Sequence, residues 1–142
     1  MSICFLSLET SKVFNELILK KLEKEGFDNL TSSLITIFPF IDEYNDISIS
    51  ALATKLGYTR QAMHKNLKKL ENNLYIKFKE ADNKKEKIVK LTKKGKNLVL
   101  VANSFIQSIQ EKISQQVGQE ELNRFIKTQE EIFEILNSKV LK

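Results

Sequence analysis

Chain-breaking residues are scarce in this sequence, and their positions constrain the fold more than any other feature. Only four glycines and one proline occur in 142 residues, which favours helices joined by short connections. Apolar residues recur at helical spacing over residues 8–25, just before Gly26, and again in a second segment that Thr31 can cap. Pro39 lies beyond the first turn of that second segment, so we predict a kink or break near Phe38.

The spacing of residues 48–59 indicates a helix-turn-helix. Ser48 precedes an apolar face whose members recur at i, i+3, i+4 and i+7, namely Ile49, Leu52, Ala53 and Leu56. Gly57 can end this helix because glycine tolerates the left-handed conformation, and Thr59 can cap the next helix. The small Ala53 four residues before the glycine lets the second helix pack closely, which is typical of the motif.

The period of the apolar residues changes from helical to two after Asn73. The alternating pattern places on one face Leu74, Ile76 and Phe78. After the polar stretch EADNKKEK, apolar residues return at Ile88, Val89 and Leu91, so we predict a β-hairpin with a basic tip. Thr92 can cap a long helix that Gly118 ends, and a last apolar helix follows. The predicted fold class is mainly α with a small β-hairpin: a winged helix-turn-helix flanked by N- and C-terminal helices.

Basic charge is concentrated in one segment of the chain, whose formal net charge is +5. Residues 59–97 hold 13 Lys/Arg and 4 Asp/Glu, a net of +9, whereas the other residues hold 10 and 14, a net of −4. Charge segregated in this way suggests one basic surface that faces a polyanion. The alternative is a set of solvated lysines that bind nothing.

The stretch TRQAMHKNLKKLE, residues 59–71, is the candidate recognition helix. A helical wheel places on one side Met63, Leu67 and Leu70, which Leu74 would extend, and on the other side Gln61, His64, Lys65 and Lys68. The first turn carries Thr59, Arg60 and Gln61, side-chain types that reach phosphates and base edges. Arg60 is the only arginine of the basic segment, so it is the best candidate for a bidentate contact to a guanine edge or a phosphate. The alternative is the ordinary polar face of a surface helix, and His64 could equally be a solvent-exposed bystander or contact the hairpin.

Together these segments resemble the MarR family of bacterial transcription regulators. The resembling residues are ISISALATKLGYTRQAMHKNLKKLENN, the hairpin, and VKLTKKGKNL, in which Leu91, Thr92 and Gly95 match the junction that opens the family's long dimer-linking helix. The resemblance implies a homodimer whose N- and C-terminal helices interleave and whose two winged lobes read a pseudo-palindrome in double-stranded DNA. It implies a DNA-binding lobe at residues 31–97 and a dimerisation lobe at residues 1–30 and 98–142.

The expected DNA-binding residues come from the first helix of the motif, the recognition helix and the wing. They are Ser48, Thr59, Arg60, Gln61, His64, Lys65, Lys68, Lys84, Lys85 and Lys87. The family's wing usually carries an Asp-x-Arg element whose arginine enters the minor groove, and the nearest residues here are Asn83, Lys84 and Lys85. Lysine suits a narrow minor groove less well, so we expect this wing to supply mainly non-specific phosphate attraction. Leu74 stands where the family tends to have glycine, so Asn73 is expected to supply the left-handed residue.

The terminal helices are more apolar than a lone chain of this length is expected to hide. The residues expected to form the dimer interface are Phe5, Val13, Phe14, Phe125, Phe133, Leu136 and Val140, with Phe105 helping to fill it. The alternative is that these side chains fill an ordinary monomer core.

A single cysteine and a single histidine limit the chemistry of the chain. They exclude an internal disulfide framework and make a histidine-based metal site unexpected, and we expect no cofactor. No apolar run approaches the roughly 18 residues that a membrane span needs, and the N-terminus lacks the basic region of a signal peptide. We therefore expect no membrane association and a cytoplasmic protein, bound to the bacterial nucleoid when it binds DNA.

Cys4 raises a redox question through the resemblance. It precedes Gly26 much as the reactive cysteine does in the peroxide-sensing branch of the family. The tyrosines that activate the thiolate in that branch are replaced here by Leu8 and Ile18. A plain buried or terminal cysteine is therefore the expectation, and a redox sensor is the alternative. The resemblance also implies a small-molecule effector, which no residue identifies.

We therefore predict a sequence-specific double-stranded DNA-binding transcriptional regulator. It acts as a homodimer, as a repressor that a small ligand or another signal releases. The alternatives are a winged-helix protein-interaction adaptor and a sequence-tolerant DNA-binding protein, such as a replication initiator. An enzyme is not indicated, because the sequence has no His/Cys/carboxylate constellation and no glycine-rich phosphate loop.

Overall fold

A computed structural model describes residues 1–83, 85–139 and 141 of the chain. Its elements, in order, are α1 (Ile3–Lys24), α2 (Ser32–Ile35), α3 (Phe38–Glu43), α4 (Ile49–Leu56), α5 (Arg60–Asn72), β1 (Ile76–Glu80), β2 (Lys87–Leu91), α6 (Lys93–Val117) and α7 (Gln119–Asn137). The predicted fold class, mainly α with one small hairpin, is confirmed. No helix among the described residues is both long enough and apolar enough to cross a lipid bilayer.

The chain divides into two compact units, residues 1–103 and 104–142, with the boundary inside α6. The first unit contains α1 to α5, the hairpin and the first part of α6. The second contains the end of α6 and all of α7. The predicted division into lobes stays a prediction: a DNA-binding lobe at residues 31–97 and a dimerisation lobe at residues 1–30 and 98–142. The dimerisation lobe would be formed by two copies of the chain, so the compact units of a single chain do not test it.

The N-terminal helices follow their capping residues. α1 begins at Ile3, earlier than the predicted start near Leu8, because the Ser2 hydroxyl accepts a hydrogen bond from the Phe5 N–H at 3.1 Å and caps the helix. The predicted break near Phe38 is confirmed, since α2 ends at Ile35 and α3 begins at Phe38. Pro39 lies in the first turn of α3, where a missing N–H costs no helical hydrogen bond.

The helix-turn-helix forms as its spacing predicts. The Ser48 hydroxyl accepts from the Ala51 N–H at 3.0 Å to cap α4, and Gly57 ends that helix with a φ of 74°. The Thr59 hydroxyl then accepts from the Ala62 N–H at 3.1 Å to cap α5. The facing side chains of the two helices are buried: Ile49, Leu52 and Ala53 on α4, and Met63, Leu67 and Leu70 on α5. This burial fixes α5 on α4 and leaves the opposite face of α5 exposed.

The wing, residues 76–91, is an antiparallel hairpin. Its register pairs Ile76 with Leu91, Phe78 with Val89 and Glu80 with Lys87. The Ile47 carbonyl accepts from the Val89 N–H at 2.9 Å, and Ser48 bridges to Ile88, so the segment before α4 lies along β2. At the tip, the Asn83 carboxamide oxygen accepts from the Lys85 N–H at 3.0 Å. The wing is thereby attached to the start of the helix-turn-helix.

The turn between α5 and β1 differs from the prediction. Asn73 has a φ of −98°, and Leu74 is the left-handed residue, with a φ of 65°. Leu74 is 68% exposed, so it neither extends the apolar stripe of α5 nor shares a face with Ile76, and Tyr75 is buried instead. Two hydrogen bonds that close the helix end explain this: the Leu74 N–H donates to Glu71 and the Tyr75 N–H to Leu70, at 2.9 and 3.0 Å.

Thr92 holds this turn from the far end of the hairpin. Its hydroxyl donates to the Leu74 carbonyl at 2.6 Å and lies 3.0 Å from the Tyr75 carbonyl, which also accepts from the Thr92 N–H at 3.1 Å. A Cβ on Gly95 would lie 2.2 Å from the Tyr75 carbonyl oxygen, so only glycine allows α6 to approach this closely. The Leu-Thr-x-x-Gly junction is thus a backbone clamp on the start of the wing.

Tyr75 is the largest fully buried side chain beneath this clamp. Its hydroxyl donates to the Asp28 carbonyl at 2.7 Å, and its ring meets Phe38 edge-on with centroids 5.7 Å apart. Burial raises the pKa of the Tyr75 hydroxyl above its ordinary value, with a smaller contribution from the negative charge of Asp28. The core of the first unit is otherwise aliphatic, and it includes Leu22, Ile37, Ile49, Leu52, Leu67 and Leu98.

Candidate nucleic-acid interface

The first turns of α5 and the wing border an open cleft of about 440 Å³. Its lining is Ile49, Arg60, Gln61, His64, Lys85 and Lys87. Five of these six residues were predicted to bind DNA from the sequence, three from the helix and two from the wing. The structure therefore brings the two predicted groups to one basic surface, with Ile49 from α4 as its apolar component.

Arg60 is the first residue of α5, and its side chain hydrogen-bonds to α4. Its Nε donates to the Ser50 hydroxyl oxygen at 3.1 Å. Arg60 is exposed, and among the described residues no acceptor takes the N–H groups of its two terminal nitrogens, which can donate to another partner. A guanidinium held in this way suits recognition of a planar pair of acceptors.

His64 contacts the wing, one of the alternatives left open for it by the sequence. Its imidazole lies nearly parallel to the Phe78 ring, with centroids 6.0 Å apart and planes at 19°. The ammonium groups of Lys68 and Lys87 lie 6.0 and 5.9 Å from the centre of the same ring. Phe78 is half-buried, and it joins α5 to both strands of the wing through three cationic or aromatic neighbours.

The other predicted contacts that the structure describes are not among the residues lining the cleft. Ser48 and Thr59 use their hydroxyl oxygens as helix caps, and each hydroxyl proton remains able to donate to a phosphate. Lys65 is exposed on α5. Lys68 pairs with Glu71 at 2.6 Å, an exposed i,i+3 ion pair that contributes little and that a phosphate can replace. Lys84 lies outside the described residues.

Two residues that matter to this surface were missed by sequence reasoning. Ser50 belongs to the polar face of α4, and no periodicity marks it as a partner of Arg60. The alternating pattern puts Phe78 on one face of the hairpin with Ile76, and it does not show that the ring of Phe78 reaches α5. Both contacts join elements that are separate in the sequence, so only the folded chain reveals them.

The wing also has an ion pair at its base, away from the cleft. The Lys90 ammonium hydrogen-bonds the Asp46 carboxylate, which follows α3 in a left-handed turn with a φ of 59°. This hydrogen bond and the positive charge of Lys90 lower the pKa of Asp46 below its ordinary value. The pair connects the loop before α4 to β2 and removes one lysine from the charge available to a polyanion.

The residues expected to form a dimer interface are largely exposed in the single chain. In the first unit Phe5 and Val13 are each 50% exposed and Phe14 is half-buried. In the second unit Phe125, Phe133 and Leu136 are 60–62% exposed, and Phe105 is half-buried. Val140 lies outside the described residues. The exposed members of this set are not part of the described core, and their assignment to a dimer interface stays a prediction.

Cys4 is an exposed cysteine in the first turn of α1, which is the terminal form of the expected buried or terminal cysteine. Its reactivity stays a prediction. Among the described residues, no three His, Cys, Asp or Glu side chains are grouped so that they could hold a metal ion.

Solved structures of transcription regulators share this architecture over nearly the whole chain. Staphylococcus aureus MarR in complex with salicylate and kanamycin has 22% identity and a TM-score of 0.76, covering 93% of this chain and 89% of its own. Streptococcus pneumoniae FabT in complex with DNA has 20% identity and a TM-score of 0.75, covering 99% and 100%. The S. aureus MepR–DNA complex has 17% identity and a TM-score of 0.73, covering 96% and 97%.

Neither family models nor curated sequences match the chain, so its relation to these proteins rests on the three-dimensional likeness. At these identities the likeness establishes the fold. The chain therefore has the winged-helix fold of the MarR-family transcription regulators.

Proposed function

We propose that this protein is a MarR-type regulator that binds double-stranded DNA sequence-specifically as a homodimer. The observation that carries the proposal is the basic cleft, in which Arg60, Gln61 and His64 of α5 stand beside Lys85 and Lys87 of the wing. A helix that enters the major groove reads bases mainly through its N-terminal half. Residue types that can read a groove occupy that half of α5, and the wing contributes lysines that can contact phosphates.

The division of labour follows from side-chain chemistry. Arg60 and Gln61 can each make paired hydrogen bonds to a base edge, a guanine for arginine and an adenine for glutamine. Lysine is a hydrated point charge, so the wing lysines attract the phosphate backbone without selecting a sequence. FabT and MepR, which share the fold, have been solved with DNA, and this supports the same ligand class here.

The homodimer is proposed from the exposed apolar side chains of the two terminal helices. Phe5 and Val13 on α1, and Phe125, Phe133 and Leu136 on α7, are half to three-fifths exposed. Apolar side chains concentrated in this way favour an interface with another chain. A second copy would bring two copies of α5 to one duplex, so we expect a pseudo-palindromic site with half-sites about one helical turn apart.

The regulatory role is proposed from the shared fold and from the expected dimer. A dimer that covers a promoter represses by occlusion, and a small ligand or another signal would release it. S. aureus MarR was solved with salicylate and kanamycin, which supports a small-molecule effector for a chain of this fold. The protein would act in the bacterial cytoplasm, bound to the nucleoid.

Selection from random duplexes at a stated salt concentration tests the proposal. We expect the wild type to select a pseudo-palindromic consensus. The Arg60→Ala variant should bind that consensus about tenfold or more weakly, because it loses one bidentate base contact. Arg124→Ala is the matched control, because Arg124 is the chain's other arginine and is exposed on α7 beside Glu121. The control should bind as the wild type does.

A sequence-tolerant DNA-binding protein is the second candidate. It is favoured by the wing, which has lysines where the resembling family usually has an arginine. Binding without a consensus that weakens steeply with salt would support this candidate. Absence of binding to any duplex would favour the protein-interaction adaptor instead.

A further inference from the structure

Ser50 and Arg60 form a polar contact across the two helices of the helix-turn-helix. We propose that Ser50 is a positioning residue that turns the Arg60 guanidinium end-on, so that its two terminal nitrogens contact the O6 and N7 of one guanine. This inference rests on the proposed function and deepens it by assigning a guanine to Arg60, the first residue of α5.

The contact has a rigid base. Arg60 is the first residue of α5 and Ser50 the second residue of α4. The two helices are locked by the turn at Gly57 and by buried side chains on both, including Leu52 and Met63. The backbone of Ser50 is therefore held in place beside the start of α5, and Arg60 Nε donates to the Ser50 hydroxyl oxygen at 3.1 Å. The hydrogen bond restrains an exposed side chain that otherwise has many rotamers.

The hydrogen bond from Arg60 Nε to Ser50 determines which N–H groups of the guanidinium remain for another pair of acceptors. A guanidinium can present a pair of N–H groups either side-on, through Nε and one terminal nitrogen, or end-on, through both terminal nitrogens. Ser50 takes Nε, so the end-on pair remains for DNA. Guanine offers two acceptors, O6 and N7, along its major-groove edge, and a bidentate arginine matches them.

Ser50 also has a competing role to be separated from this one. It is exposed on α4, and its hydroxyl proton is free to donate to a phosphate. In that case Ser50 would contribute to binding by itself and without regard to Arg60. A double-mutant cycle distinguishes the two roles, because only a positioning residue loses its effect when Arg60 is absent.

The experiment measures affinity for the duplex selected by the wild type and for a random duplex. The variants are Ser50→Ala, Arg60→Ala and the double variant. Ser50→Thr keeps the hydroxyl. Thr54→Ala is the matched control, since Thr54 is exposed on the same helix and its hydroxyl donates to the Ser50 carbonyl rather than meeting Arg60. Folding is retained in Ser50→Ala, because the site is exposed and alanine is the best helix former.

We expect Ser50→Ala to lower the ratio of selected to random affinity roughly threefold to tenfold, the effect of one hydrogen bond. In the Arg60→Ala background the same change should have no effect. Ser50→Thr and Thr54→Ala should behave as the wild type does. Replacing one guanine of the half-site by 7-deazaguanine, which lacks N7, should weaken the wild type and leave Arg60→Ala unaffected.

The outcomes that overturn the inference differ from those that overturn the proposed function. An equal loss in both backgrounds would make Ser50 a phosphate contact, and no loss would make the hydrogen bond irrelevant. Insensitivity to every 7-deazaguanine would remove the guanine assignment. In each case the wild type still selects a consensus, whereas failure of the wild type to select any consensus is the failure of the proposed function itself.

Discussion

The His64 imidazole and the Phe78 ring lie nearly parallel, with centroids 6.0 Å apart. This contact joins α5 to the wing at the edge of the basic cleft. It adds an aromatic contact to the backbone hydrogen bonds that attach the wing to the segment before α4, and Phe78 itself is not among the predicted DNA contacts.

Phe78→Ala should weaken both stability and DNA binding. Loss of a half-buried phenyl ring should lower the free energy of unfolding by about 1–2 kcal/mol, and the freed wing should reduce affinity for the selected duplex several-fold. Urea unfolding and DNA titration measure the two effects. Phe78→Leu is the control, because it keeps apolar volume without the ring face and should recover most of the stability but not the affinity. Unchanged DNA affinity in Phe78→Ala would show that the contact does not place the wing.

Leu74→Gly should stabilise the protein. Leu74 has a φ of 65° and is 68% exposed, so glycine removes left-handed strain and loses little burial. The expected gain in the free energy of unfolding is about 0.5–1 kcal/mol, measured by urea denaturation.

The matched control is Asn73→Gly, one residue earlier. Asn73 has a φ of −98°, and its side chain accepts from Asn29 and donates to the Lys69 carbonyl, both at 2.8 Å. Glycine there should cost about 1 kcal/mol or more. The reverse ranking of the two variants would contradict the assignment of Leu74 as the left-handed residue.

The ion pair between Asp46 and Lys90 should make the stability of the fold decrease at acidic pH. Lys90 lowers the folded-state pKa of Asp46 below its ordinary value of 3.8, so the carboxylate stabilises the fold at pH values above about 3.8. That contribution is lost as the pH falls through the lowered pKa. Asp46→Asn, which also tolerates the left-handed φ of 59°, should have a lower melting temperature than the wild type at neutral pH. The two curves should converge in acid, and a difference that persists at the lowest pH would contradict the ion pair as its cause.

Lys85→Ala should weaken selected and random duplexes to the same extent. Lys85 lines the cleft from the wing, and a lysine that contacts phosphate contributes without reading sequence. The slope of log affinity against log salt should fall in magnitude by about 0.9 for the lost phosphate contact. Lys127→Ala, an exposed lysine on α7, is the control and should change neither quantity. Selective loss on the selected duplex would instead assign Lys85 to a base.

The sequence by itself determined the helix-turn-helix and its buried stripe. Ser48, Gly57 and Thr59 act through hydrogen bonds or dihedral angles within a few residues of themselves. The apolar period of α5 specifies which face it buries, and Met63 and Leu67 lie on that face. Helix caps and apolar periodicity can be predicted from a single sequence, because the interacting residues are close together in it.

The contacts between separate helices and strands follow from the tertiary structure and could not be predicted from the sequence. Hydrogen bonds to the end of α5 form the turn at Leu74, and Thr92, 17 residues after Tyr75, holds the same backbone from the other end of the hairpin. Arg60 is oriented by Ser50, and His64 is held against the wing. These contacts depend on where separate elements meet, and periodicity carries no information about that. The candidate DNA-binding residues can therefore be recognised in the sequence, whereas the contacts that hold their side chains depend on the fold.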